Sequence, residues 1–155
     1  MSRNSLKLDP VRDWPKFRWD DGRLAKLLAA GRHQQGRLVG QMEALGFRVR
    51  EEAVLRTLTE DVVKSSEIEG EKLDADQVRS SVARRLGIDI GGLQRFYSMS
   101  AQIREERGEY YGILEQIQRG TMDVTAWMEW FLGCLTRAIE GAQAALSGVI
   151  AKAHY

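Results

Sequence analysis

Few side chains in this chain are of a kind that does chemistry, and their spacing argues against it. Only two histidines occur, His33 and His154. A zinc-binding helix needs two of them four residues apart, so that both imidazoles reach one ion from the same face, and no such pair exists. Cys134 is the single cysteine, which leaves no disulfide framework and no thiolate cluster. It stands between Phe131, Leu132 and Leu135 and reads as a small core residue. Carboxylates come in pairs at Glu51-Glu52, Glu60-Asp61 and Glu105-Glu106, but on helical surfaces such pairs are solvated charge. Gly91-Gly92 is too little glycine to cradle phosphates, and neither a phosphate loop nor a serine elbow is present. On residue chemistry alone, the chain is a helical interaction module.

The elements that would position these residues are all helical. Of 155 residues, 43% are apolar and 29% charged, as in an ordinary globular domain. The formal net charge is +1, which gives no whole-chain case for nucleic acid or an anionic membrane as partner. The first residues lack the apolar run of a signal peptide, and no stretch approaches the roughly 18 apolar residues of a membrane span. The cytoplasm is the expected location.

Apolar residues recur at helical spacing in five blocks, and none alternates as a half-buried strand would. The lead Trp14-Pro15-Lys16-Phe17-Arg18-Trp19 is expected to lie extended, anchored by Trp14, Phe17 and Trp19. A first helix runs from Asp20 or Asp21 to about Leu45, with Leu24, Leu27, Leu28, Leu38, Met42 and Leu45 as its buried stripe. Gly31, Gly36 and Gly40 each cost about 1 kcal/mol against alanine there, so the helix needs a closely packed neighbour. A second helix spans about Arg50 to Ser66, with Leu55, Leu58, Val62 and Val63 on its buried side. A third begins at Asp74, where Asp74-Ala75-Asp76-Gln77 reads as a capping box, and stops at Gly87. Its Arg79, Arg84 and Arg85 read as a solvated face.

After the glycine-rich break, Ser98 or Ser100 caps a fourth helix reaching about Gln118. A fifth starts near Asp123 and carries a wide apolar face that includes Trp127, Trp130, Phe131, Cys134, Leu135, Ala138 and Ile139. Run to the C-terminus, it would be roughly 45 Å long. The expected architecture is all-α, with three N-terminal helices packed on a C-terminal antiparallel helical pair and no sheet.

Two stretches carry a family resemblance. Val63-Lys64-Ser65-Ser66-Glu67-Ile68-Glu69-Gly70-Glu71, with Val78 to Gly87, resembles the N-terminal helical region of bacterial Fic proteins. Within it, Ser65-x-x-x-Glu69-Gly70 resembles the inhibitory motif of that family. Gln94 to Ile103, with Trp127 to Leu132, resembles the helices that follow the Fic core. The resemblance divides the chain into residues 1–92, the inhibitory region, and residues 93–155, the helices after the core.

The family's catalytic signature, His-Pro-Phe-x-x-Gly-Asn-Gly-Arg, belongs between these regions and is missing from the sequence. The chain reads as an internal deletion joined near Leu93. Fic proteins transfer a nucleotide from ATP with Mg²⁺; here no residue matches the positions that hold either, so no cofactor and no catalytic residue is expected. What the resemblance leaves is the regulatory half, in which Glu69 would be the inhibitory glutamate, with Ser65 and Gly70 shaping its helix end. The expected function is that of a truncated, non-catalytic Fic remnant. Its expected partners are an intact Fic protein, inhibited in trans, or a second copy meeting it through exposed apolar helix faces around Tyr110, Trp127, Trp130 and Phe131.

Overall fold

A computed structural model describes residues 16–86, 96–120 and 122–153, and all of its regular structure is helical. Six helices follow one another: α1 (Asp21–Glu43), α2 (Phe47–Ile68), α3 (Ala75–Leu86), α4 (Met99–Glu105), α5 (Arg107–Arg119) and α6 (Thr125–Ala153). The expected anchor Trp14, the stop at Gly87, the Gly91-Gly92 break, the junction near Leu93 and His154 lie outside the described residues.

Three of the starts are fixed by local chemistry that the sequence displays. The Asp20 carboxylate accepts from the Arg23 N–H at 3.0 Å and opens α1. The Asp74 carboxylate accepts from the N–H groups of Asp76 and Gln77 at 2.9 and 3.0 Å and opens α3. Ser98 opens α4 by accepting from the Ala101 N–H at 3.0 Å. In each case a short polar side chain satisfies donors that the first helical turn leaves free.

The scaffold is built on α1 lying along α6, with α2 packed on α4 and α4 on α6. The centre of the core is Leu38 and Met42 of α1 against Ile139 of α6, with Phe96, Tyr97, Leu135 and Ala142 around them. Gly31 is buried where α1 packs on α6. A Cβ there would sit 3.7 Å from the Thr136 hydroxyl, whereas Gly36 and Gly40 face open space. The close approach expected of three glycines therefore exists at one.

Five expectations are corrected. The single fourth helix is two, broken at Glu106, whose backbone leaves the helical region (φ −96°, ψ 23°). The C-terminal part is thus three helices, and α3 rests mainly on α2. The buried side of α2 is Val54 and Thr57, while Val62 is exposed. Flanked by α3 on one side and α4 on the other, α2 shares its apolar residues between two faces, which blurs the stripe. The lead is extended as expected, with Arg18 pairing to Met122 and Val124 through backbone hydrogen bonds of 2.8 Å. Its Phe17 and Trp19 are nevertheless exposed, as is Leu28 of the α1 stripe.

The aromatic face of α6 is half-covered from within. Trp127 stacks on Phe131 with ring centroids 5.2 Å apart, and Tyr110 of α5 lies 5.6 Å from Trp130. No helix among the described residues is long and apolar enough to cross a membrane.

Candidate functional site

Ser65, Glu69 and Gly70 are brought together at the end of α2, and each has an identifiable local task. Gly70 adopts φ +90°, a left-handed conformation that glycine enters without the Cβ penalty. That turn lets the Glu71 N–H reach the Ser66 carbonyl at 2.9 Å and the Gly70 N–H reach the Glu67 carbonyl at 3.1 Å. These two bonds form a Schellman motif, which satisfies carbonyls that the helix end would otherwise leave free. The Ser65 carbonyl accepts from the Glu69 N–H at 3.3 Å, and the Ser65 hydroxyl meets that of Ser100 on α4 at 2.8 Å. Tyr111 of α5 donates to the Ile68 carbonyl at 3.3 Å. The helix end is therefore braced by two neighbours.

Two glutamates in the last turns of α2 meet different fates. Glu67 holds Lys64 at 3.2 Å and Arg104 of α4 at 3.4 Å. Glu69, the C-cap residue, is exposed and enters no ion pair among the described residues. A carboxylate at a helix C-terminus faces the negative end of the macrodipole. Glu67 is compensated internally, and Glu69 is not.

The other polar contacts are architectural. Ser98 donates to Asp61 of α2 at 2.6 Å while capping α4, so both capacities of its hydroxyl are spent on structure. Among the described residues, no imidazole hydrogen-bonds to this pair. His33 is exposed on α1, and no group of three His, Cys, Asp or Glu residues suited to a metal ion exists among the described residues. Cys134 is fully buried, and burial pushes its thiol up to about 11. The Thr125 hydroxyl and N–H hold the Asp123 carboxyl below its ordinary range. That hydroxyl also accepts from the Asp20 N–H at 2.9 Å, tying the start of α6 to the start of α1.

One feature was not foreseen from the sequence. Between α1, α2, α4 and α6 lies an open cleft of about 440 Å³. Phe96 and Leu146 line its apolar part over a floor of the buried Leu38 and Met42, and Glu52, Arg56, Glu60 and Glu105 supply its charge. The sequence signal for it is the run of small residues Ala138, Gly141, Ala142 and Ala145 on α6, which leaves that helix without bulk along one stretch.

Fold and site together define a small all-α protein with a braced, acidic helix end and an open interhelical cleft. The chain belongs to the family described as "Domain of unknown function (DUF4172)", whose match runs over residues 11–88 and takes in α1, α2 and α3. None of the curated proteins compared with the chain matches it.

Proposed function

We propose that this chain is a truncated, non-catalytic member of the Fic group of protein adenylyltransferases that acts as a binding module. Its role is to offer Glu69 to an arginine of a partner, an intact Fic enzyme inhibited in trans. The observation that carries this reading is the exposed Glu69 carboxylate at a rigidly capped helix end, with no cation against it among the described residues. A carboxylate so placed gains more from an incoming guanidinium than one already compensated, and a bidentate arginine contact is among the strongest available to it. Ser65 and Gly70 support the reading by ordering the backbone of the helix end that carries Glu69. The absence of the catalytic signature from the sequence supports the non-catalytic part.

The test is an adenylylation assay with labelled ATP, Mg²⁺, an intact Fic enzyme and its target. Added in excess, the chain is expected to reduce label transfer, and Glu69→Gly and Glu69→Gln are expected to abolish that effect. The chain alone should transfer no label. Equal inhibition by wild type and both variants, or transfer by the chain alone, removes the proposal.

A further inference from the structure

The cleft follows its helices for a distance that suits one kind of occupant. Its lining runs along α2 from Val49 to Glu60 and along α6 from Ala138 to Leu146. At 1.5 Å per residue these walls are about 16 and 12 Å long, two to three helical turns. Ala53, Ala101, Ala138, Gly141, Ala142 and Ala145 line it, and side chains this short let another backbone come close while leaving room for its larger residues.

Charge at the rim has a sign. Three carboxylates and one cation, Arg56, belong to the lining. Glu52 is neutralised by Arg79 at 2.8 Å. Glu60, Glu105 and Arg56 are exposed and enter no ion pair among the described residues, which leaves the rim one net negative charge.

We propose that this groove is a docking site for an amphipathic helical segment of a partner protein. Large apolar side chains at i, i+4 and i+7 of that segment enter the groove, and flanking Lys or Arg residues face Glu60 and Glu105. The inference rests on the reading of the chain as a binding module, but it uses a surface other than Glu69. Apolar contact gives the affinity, and the two carboxylates discriminate between basic and acidic helices.

The experiment measures fluorescence anisotropy of two labelled amphipathic peptides, one built of Leu and Lys and the other of Leu and Glu, titrated with the full chain. The Leu/Lys peptide is expected to bind about tenfold more tightly or better. Ala145→Trp puts bulk into the groove at an exposed position, and it should weaken that binding by about tenfold. Glu60→Lys with Glu105→Lys should transfer the preference to the Leu/Glu peptide. Glu69→Gly should leave peptide binding unchanged, which separates this proposal from the previous one. Equal affinity for the two peptides, indifference to Ala145→Trp, or saturation by dodecyltrimethylammonium with no peptide binding would each overturn it.

Discussion

Arg137 of α6 donates through Nε and Nη2 to the two carboxylate oxygens of Glu106, both at 2.6 Å, and Glu106 is the residue at which α4 gives way to α5. Gln102 of α4 donates to the same carboxylate at 2.6 Å. The break is thus held by a side chain thirty-one positions away. Arg137 holds the Glu106 carboxyl below its ordinary range, chiefly through the hydrogen bond. Because the folded value is depressed, the contact stabilises the fold above the unfolded value near 4.5 and is lost as pH falls through the folded one.

Glu106→Gln is expected to lower stability at neutral pH by about 1.5–3 kcal/mol, the range for hydrogen bonds to charged groups. The Glu106 side chain is 14% exposed, so water replaces little of what is lost. Urea unfolding at neutral pH and near pH 3 checks this. The difference between wild type and variant should shrink on acidification, and a gap that stays constant contradicts the assignment.

The end of α2 makes a prediction of opposite sign to one in α1. Gly70→Ala forces a Cβ into φ +90° and is expected to cost about 1 kcal/mol. Gly36→Ala places a methyl group in open space on a helix and should gain up to about 1 kcal/mol. Thermal unfolding of the two single variants reads both signs, and a stabilising Gly70→Ala would mean that the Schellman turn is not formed.

Ser98 links the two halves of the scaffold by capping α4 and donating to Asp61 of α2. Ser98→Ala removes both contacts and should cost about 1–2 kcal/mol. Ser98→Asp keeps the capping oxygen but sets a second carboxylate against Asp61, so it should recover less than the full loss. Full recovery in chemical denaturation would show that the Asp61 contact contributes nothing.

What the sequence displays is what neighbours in the chain decide. The caps at Asp20, Asp74 and Ser98 are legible because donor and acceptor lie within three residues of each other. The end of α2 is expected near Ser66, and it falls at Ile68 because Gly70 closes the turn two residues further on. The break at Glu106 is not legible, since an uninterrupted helical pattern runs through it and the arginine that holds it belongs to another helix. The buried side of α2 is misread for a related reason: two helices compete for it, and only their placement selects Val54 and Thr57 over Val62. The cleft is the extreme case, because four helices from both ends of the chain make it and no one of them contains it.

Cys134 offers a test of the core itself. It is fully buried, and burial, followed by the field of Glu106, pushes its thiol up to about 11. The thiolate is the reactive species, so three units below that value only about 0.1% of the thiol is available even where reagent can reach it. Iodoacetamide at pH 8 is expected to leave the native chain essentially unmodified over a time that fully labels it in urea. Labelling as a function of urea should follow the unfolding transition seen by circular dichroism, because access and ionisation both require the α1 and α6 core to open. Rapid stoichiometric labelling of the native protein would mean that α6 separates from its neighbours without global unfolding, and the scaffold that aims Glu69 and frames the cleft would then be looser than the packing around Ile139 implies.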